Sequence, residues 1–315
     1  MTGYALRRLA LFVPTLFLAS VAVFLMLRII PGDVASAILR DDATEEAVAI
    51  LREELGLNRP LIVQYGDWLA NALRLDLGNS LLYRGTSVAE LIGDALPITL
   101  HLTVWGMLIT MLLALPIGVY SALGRNAALK QAMRLFSIAG LSVPTFWLAI
   151  IVLYALIRFL GWSPQFRYVS FFDNPVANFT AFVIPATIFA YSNAAVIARM
   201  LRSQLLEIVS EDYIRTARAK GLSAARVNFR HAIPNAMLPV VTIIGSQFAA
   251  MITGLVIVER IFALPGLGTL MVTATLSSDY VVVQSLFMLI ALLVLVVNLG
   301  VDLLYGWLDP RIRFS

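Results

Sequence analysis

Few residues in this chain could carry covalent chemistry. There is no cysteine, which removes disulfides, thiolate nucleophiles and cysteine-ligated metals and leaves the redox compartment open. His101 and His231 are the only histidines and stand far apart, so no metal site is expected. No G-x-x-x-x-G-K-[ST] occurs; Gly266-Leu267-Gly268-Thr269 lacks both the lysine and the spacing. The chain is therefore not expected to cradle a nucleoside triphosphate. Asn178-Phe179-Thr180 matches a glycosylation sequon, a pattern too short to weigh much. No catalytic, cofactor or metal residue is expected, and attention passes to a stretch suited to mechanical work. Residues 213–239, YIRTARAKGLSAARVNFRHAIPNAMLP, place five Lys and Arg residues and a glycine between two strongly apolar segments.

The physical reading of that stretch is a helix, a glycine and a second helix. Glu211 and Asp212 stand where a helix N-terminus favours negative charge, and Lys220 near the C-terminus, where cations are favoured. Gly221 is placed to leave the helix in a left-handed cap. Ser223 then caps a second short helix running through Arg230 and ending before Pro234. Tyr213, Ile214 and Ala217 form a small apolar ridge, Arg215, Arg218 and Lys220 point elsewhere, and Ala217 and Ala219 are small enough for another protein to approach. The rival is a basic segment gripping anionic lipid, which would need a larger hydrophobic face than this one offers.

The elements that position this stretch follow from composition. Of 315 residues, 60% are hydrophobic and 13% charged, with a mean hydropathy of +0.87. That is an all-α polytopic membrane protein. A net charge of +4 would suggest nucleic acid in a soluble chain; here its placement sets topology, and no nucleic-acid partner is expected. Six windows lack Asp, Glu, Lys and Arg: Leu9–Leu27, Leu102–Leu123, Leu135–Ile157, Asn174–Ala198, Ala232–Val258 and Tyr280–Val301. They are 19 to 27 residues long, against about 20 needed to cross the hydrocarbon core. Backbone groups in lipid must pair within their own segment, so each is expected to be helical. Pro14, Pro116, Pro144 and Pro185 lie inside four of them and are read as kinks rather than breaks. The first window, preceded by Arg7 and Arg8, runs on to Leu27 without a clear cleavage site, which favours a span over a secretory signal.

Basic loops are retained on the cytoplasmic side. Arg7 and Arg8, then Arg125, Lys130 and Arg134, then the Arg199–Arg230 cluster, then Arg311 and Arg313 all fall on one side of a six-span chain. Both termini are then inside. Pro31–Pro97, with eleven Asp and Glu against five Arg, becomes an external insertion of short helices. One should start at Asp42, with Glu45 completing a capping box and Gly56 beyond its end; Pro60 should open a second; Ser87 and Glu90 form another capping box. The expected division is 1–30 for the N-terminus and first span, 31–97 for the insertion, 98–310 for the core with its loop at 207–235, and 311–315 for the tail.

No ionisable residue sits within the windows; Arg28, Arg158 and Asp302 lie at their edges, where snorkelling is the commoner explanation. The polar residues inside them, Ser142, Asn193, Thr242, Gln247, Thr253 and Asn298, suit either interhelical hydrogen bonds or the lining of a pathway. Asn193, Gln247 and Thr253 are the favoured pathway residues.

The loop also resembles a motif of permease subunits of ATP-binding-cassette importers: EAA, three residues, G, nine residues, I, one residue, LP. Counted from Gly221, EAA falls on Arg215, Thr216 and Ala217, and the last positions on His231, Ile233 and Pro234. The glycine, the second alanine and the proline match; the remainder departs in the manner of the dipeptide and oligopeptide branch, which EDYIRTARAKGLS (Glu211–Ser223) resembles throughout. LRIIPGD (Leu27–Asp33), LDLGNS (Leu75–Ser80), LPITLHL (Leu96–Leu102), SVPTFWLAI (Ser142–Ile150), VIVERIFALPGLG (Val256–Gly268) and VDLLYGWLDPRIR (Val301–Arg313) extend the likeness along the chain to the B-type permease of that branch.

The resemblance implies the type I importer permease fold in a bacterial inner membrane. It implies a second, C-type permease subunit, two cytoplasmic ATPase subunits that bind ATP and magnesium, and an external substrate-binding protein. It assigns ATPase coupling to Arg215, Thr216, Ala217, Lys220 and Gly221, with no hydrolytic activity or cofactor in this chain. Peptides are the expected substrates; nickel chelates, glutathione and oligosaccharides are the alternatives. A stand-alone carrier or channel would need buried charges or a pore-lining ring, and an inert anchor only one or two spans.

Overall fold

The computed structural model describes residues 2–29, 34–39, 44–54, 56–83, 85–164 and 168–308. Among them the chain is helical, with one isolated antiparallel bridge, Asn79 to Ser87. In order the helices are α1 (Thr2–Ile29), α2 (Val34–Leu39), α3 (Glu45–Glu54), α4 (Leu61–Leu73), α5 (Val88–Leu123), α6 (Ala127–Ser142), α7 (Thr145–Leu160) and α8 (Pro175–Val209). They continue with α9 (Asp212–Ala219), α10 (Ala224–Val227), a π-helical turn (Asn228–Ala232), α11 (Ile233–Gly254), α12 (Val256–Ile261), α13 (Leu267–Leu276) and α14 (Tyr280–Leu308). Five are long and apolar enough to cross a membrane, and the bent pair α6–α7 makes a sixth if it counts as one span.

That pair corrects one expectation. α1, α5 and α8 run on through Pro14, Pro116 and Pro185, but at Pro144 the helix breaks, and α6 and α7 diverge by 105°. Val143 precedes the proline and is extended, at φ −89° and ψ 120°. The ring disfavours the α conformation for its predecessor, and a β-branched valine gives way readily to the β region. The fifth window also divides: α11 ends at Gly254 and α12 begins at Val256.

The insertion helices start and stop close to where expected. Gly56 follows α3 at φ +64°, Pro60 precedes α4, and Ser87 Oγ accepts from Glu90 N at 3.1 Å to cap α5. The α3 cap is Thr44, whose Oγ1 accepts from Ala47 N at 3.2 Å. Asp42, the Pro31–Asp33 segment and the tail with Arg311 and Arg313 lie outside the described residues.

The chain forms two compact units. In the unit of residues 100–264 and the chain ends, α8 is the central element, packed by α6, α7, α11 and α12. Its buried face alternates small and large residues, Ala186, Phe189, Ala190, Ala194, Ile197, Ala198, Leu201 and Leu205. Close approach of α6 depends on Gly140, where an added Cβ would lie 2.8 Å from the Ala195 Cβ. Tyr191 OH donates to Phe136 O at 2.9 Å across the same pair.

In the unit of residues 6–99 and 265–296, the start of α5, α13 and the start of α14 share a core of Val88, Ile92, Ala95, Leu267, Ala274, Val282 and Leu286. Asp279, 1% exposed, holds the insertion's last turn to α14. Its Oδ2 accepts from Ser80 Oγ (2.5 Å), Leu81 N (3.0 Å) and Leu82 N (3.1 Å), while Oδ1 caps α14 through Val282 N at 3.3 Å. Donors on both oxygens are what a buried carboxylate needs to remain tolerable.

Candidate coupling site

The loop between α8 and α11 is built around α9. Glu211 is its extended N-cap and Asp212 supplies negative charge to the first turn. Arg215 Nη1 lies 3.5 Å from Asp212 Oδ1, with both side chains largely in solvent, so the pair adds at most a few tenths of a kcal/mol. Arg215 also donates to Ser210 O at 3.4 Å, and Thr216 Oγ1 to Asp212 O at 3.0 Å.

The C-terminus of α9 is a Schellman cap. Gly221 adopts φ +79°, Gly221 N donates to Arg218 O at 2.9 Å, and Leu222 N reaches back to Ala217 O at 3.4 Å. These are the two bonds that define the motif. Only glycine takes that φ without a steric cost. Ser223 then caps α10 through Arg226 N at 3.4 Å.

The second helix differs from expectation. It does not end before Pro234: α10 continues through the π turn into α11, with Asn228, Ala232 and Ile233 at the junctions all αR, and Pro234 falls in the first turn of α11. Inside a continuous helix proline lacks the N–H that would bond one turn back, and its ring crowds that carbonyl. A π turn widens the ring of backbone bonds and absorbs the irregularity.

The apolar face of α9 points inward. Ile214 is fully buried and Ala217 is 8% exposed. They join Val227, Ala232 and Ala236 below the loop, Ile197, Leu201 and Leu205 of α8 and Ala114 and Ala122 of α5 in one continuous core. Burying an isoleucine side chain contributes about 2 kcal/mol. Asn235 Nδ2 donates to Tyr213 OH at 3.3 Å and to His231 O at 2.7 Å, bolting α9 to α11. The opposite face carries Arg215, Thr216, Arg218, Ala219, Lys220 and Gly221, all exposed. Of the expected coupling residues, four therefore lie on one accessible face, and Ala217 lies beneath them as packing. Beside the π turn opens a cavity of about 510 Å³ lined by Pro116, Val119, Tyr120, Leu123, Phe229 and neighbours, where Phe229 is 72% exposed.

The polar residues expected along a pathway are mostly committed to their own helices. Asn193 Nδ2 donates to Phe189 O at 2.8 Å, Thr253 Oγ1 to Ala250 O at 3.0 Å, and Ser142 Oγ to Ile138 O at 3.0 Å. Asn193 and Gln247 are half-buried and Thr253 is exposed. The interhelical bonds use other residues: Trp105 Nε1 donates to Asn178 Oδ1 at 2.8 Å, and Thr110 Oγ1 to Ala190 O at 3.4 Å. Asn178, the sequon asparagine, is fully buried, so that site is closed to glycosylation in the folded chain. Glu259, one residue beyond a charge-free window, is also fully buried. A buried carboxylate beside a span is costly, and the only hint of it in sequence was its place among the apolar residues of VIVERIF.

Comparison with known proteins agrees with this arrangement. Residues 114–314 match the family described as binding-protein-dependent transport system inner membrane component, and residues 1–103 its N-terminal family. A chain of Brucella abortus (strain 2308), provisionally named a peptide transport system permease protein, is 40% identical over 315 residues, covering 100% of both chains. The glutathione transport system permease protein GsiC of Escherichia coli O6:H1 is 35% identical over 315 residues, again covering 100% of both. A solved inward-facing structure of the MetNI methionine ABC transporter shares the fold, with a TM-score of 0.57 at 18% identity over 70% of this chain and 97% of that one. A helical, multi-pass chain matched along its length by these models belongs to the binding-protein-dependent transport system inner membrane component family: it is an inner-membrane permease subunit of an ABC importer, and itself not an enzyme.

Proposed function

We propose that this subunit forms half of the translocation pathway of a peptide importer, paired with a second, homologous permease. The exposed face of α9 (Arg215, Thr216, Lys220, Gly221) docks on one of two cytoplasmic ATPase subunits. The observation that carries the coupling role is the union of α9 with α8, α11 and α5 in one core, closed by the Tyr213–Asn235 bond. A displacement applied to α9 therefore moves membrane helices with it, which a flexible linker would not do. Ala217 serves as the packing base of the knob. The basic loops place α9 and both termini in the cytoplasm, and Asn193, Gln247 and Thr253 are assigned to the pathway on α8 and α11.

The peptide assignment draws on the Brucella relative's name, and glutathione, the cargo in the name of the E. coli relative, is itself a tripeptide. Gly221→Val tests the coupling role. A β-branched residue at φ +79° disrupts the Schellman cap, so the complex should assemble while substrate-stimulated ATP hydrolysis and uptake are lost. Normal uptake by an assembled Gly221→Val complex would reject it. Purifying the intact importer and identifying the ligand that travels with its binding protein tests the substrate class; a non-peptide ligand would reject that part alone.

A further inference from the structure

α4 has three distinct faces. Tyr65 and Trp68 face α1: Tyr65 packs edge-on to Phe17 and Phe24 at 6.2 and 5.3 Å between ring centroids, and Trp68 lies 6.0 Å from Phe24. The Tyr65 hydroxyl is 2.7 Å from Ser20 Oγ. A second face is polar. Gln64 Oε1 accepts from Arg28 Nη2 at 2.9 Å, and Asp67 pairs with Arg59 at 3.2 Å; with Asn71 and Asp76 these residues line a cavity of about 320 Å³. The third face is apolar and bare. Ile62 is 81% exposed and Leu73 78%, with Gly66 and Ala70 also exposed between them.

The depth of the α1 contacts identifies what covers that face. The apolar span of α1 runs Leu6–Met26, so Ser20 lies six residues and Phe17 nine residues inside its end. At 1.5 Å per residue these are about 9 and 13 Å below the boundary. A phenol bonded to Ser20 and a ring against Phe17 cannot sit in an aqueous cap above the bilayer. The bare face of α4 also continues the apolar surface of α1, a helix long and apolar enough to cross a membrane that exposes Phe17, Leu18 and Leu25. The polar face, with Arg28, Arg59 and Asp67, then falls at headgroup level, and Tyr65 lies below it with its hydroxyl partnered by Ser20, as a phenol in an apolar setting requires. Helices with one polar and one bulky apolar side lie in that plane.

We propose that α4 is an interfacial helix whose Ile62 and Leu73 side contacts the acyl chains of the leaflet at the C-terminal end of α1, and that it is not part of a water-exposed cap. This chain has no cysteine of its own, so once any cysteines of the other subunits are replaced each label reports one introduced site. Ile62→Cys, Leu73→Cys and, on the polar face, Asp67→Cys would each be spin-labelled in the complete importer. The complex would be reconstituted in phosphatidylethanolamine–phosphatidylglycerol 3:1 liposomes. Labels at positions 62 and 73 should collide severalfold more with oxygen than with a water-soluble nickel chelate, and the label at 67 should show the reverse ratio. Nickel-dominated collisions at 62 and 73 would place the face in water, and low accessibility to both probes would place it under a protein partner. Either result overturns the assignment.

Discussion

Asn235, in the first turn of α11, donates a hydrogen bond to the hydroxyl of Tyr213 on α9 at 3.3 Å. It is a modest bond between exposed side chains, worth about 0.5–1.5 kcal/mol. Its place gives it leverage, because it spans the one seam between α9 and the membrane helix that follows. Tyr213→Phe removes the acceptor and leaves the ring. Its melting temperature should change by no more than a few degrees, and the ratio of transport to ATP hydrolysis should fall. Asn235→Ala should act the same way, and the double variant should be no worse than the worse single. An additive double variant, or an unchanged ratio, would show that the bond does not carry displacement.

Small residues at the α6–α8 crossing give the second prediction. An added methyl at Gly140 meets the Ala195 Cβ at 2.8 Å with Tyr191 close behind. Neither neighbour is the free end of a flexible chain, so the helices must separate. Gly140→Ala gains about 1 kcal/mol of helix propensity against an overpacking cost of about 1–3 kcal/mol, and should be destabilising. Gly93→Ala, on α5 with nothing within 4 Å of the added carbon, gains the propensity alone and should be neutral to stabilising. Thermal unfolding of the two variants in the same detergent checks the sign; Gly140→Ala melting at or above Gly93→Ala would contradict the packing.

The main elements were legible in sequence because membrane spans are written in composition. Charge-free windows, a glycine after the last helical lysine at Gly221 and Ser87 before α5 each state a local cost that the chain cannot evade. What was not legible depended on competition between neighbours. Pro144 breaks its helix while Pro185 does not, although both look alike in an apolar run; the difference lies in whether the preceding residue, Val143 or Ile184, is held helical by its surroundings. Ala217 read as a contact residue because alanine carries no sign of which way it faces. The core that claims it is assembled from α8, α11 and α5, the last up to about a hundred residues earlier. The bonds of Asn178 and Asp279 were invisible for the same reason, since their partners are distant in the chain.

Asn178 accepts from Trp105 and donates to Val169 O at 2.8 Å, fixing the segment before α8 against α5. Asn178→Ala removes the partner of a half-buried indole N–H and of a half-buried carbonyl, each bond worth about 0.5–1.5 kcal/mol. Asn178→Asp retains the acceptor for Trp105, loses the donor to Val169 and adds a charge in a buried place. Both should lower the melting temperature, and Asn178→Asp the more, since it brings a charge into a fully buried position. Asn178→Asp melting at or above Asn178→Ala would show that the site is open to water.

Asp279 offers the sharpest separation of local from global effects. Three donors from Ser80, Leu81 and Leu82 converge on its Oδ2 while Oδ1 caps α14. Hydrogen bonds to a charged acceptor contribute about 1.5–3 kcal/mol, so Asp279→Ala should be among the most destabilising single changes in its unit. Asp279→Asn keeps one oxygen but turns an N–H₂ group toward one set of donors. It can serve either the cap or the clasp, and not both. Hydrogen exchange should show which is released: if the amide prefers the cap, protection is lost at Leu81 and Leu82 and kept at Val282. Ser80→Ala removes one donor to Asp279 and the acceptor of Tyr83 N (2.9 Å) but leaves the Leu81 and Leu82 amides bonded to the carboxylate, so its loss should be the smallest of the three. Equal losses in all three variants would mean that the carboxylate matters only for its volume, and that the last turn of the insertion is held by other contacts.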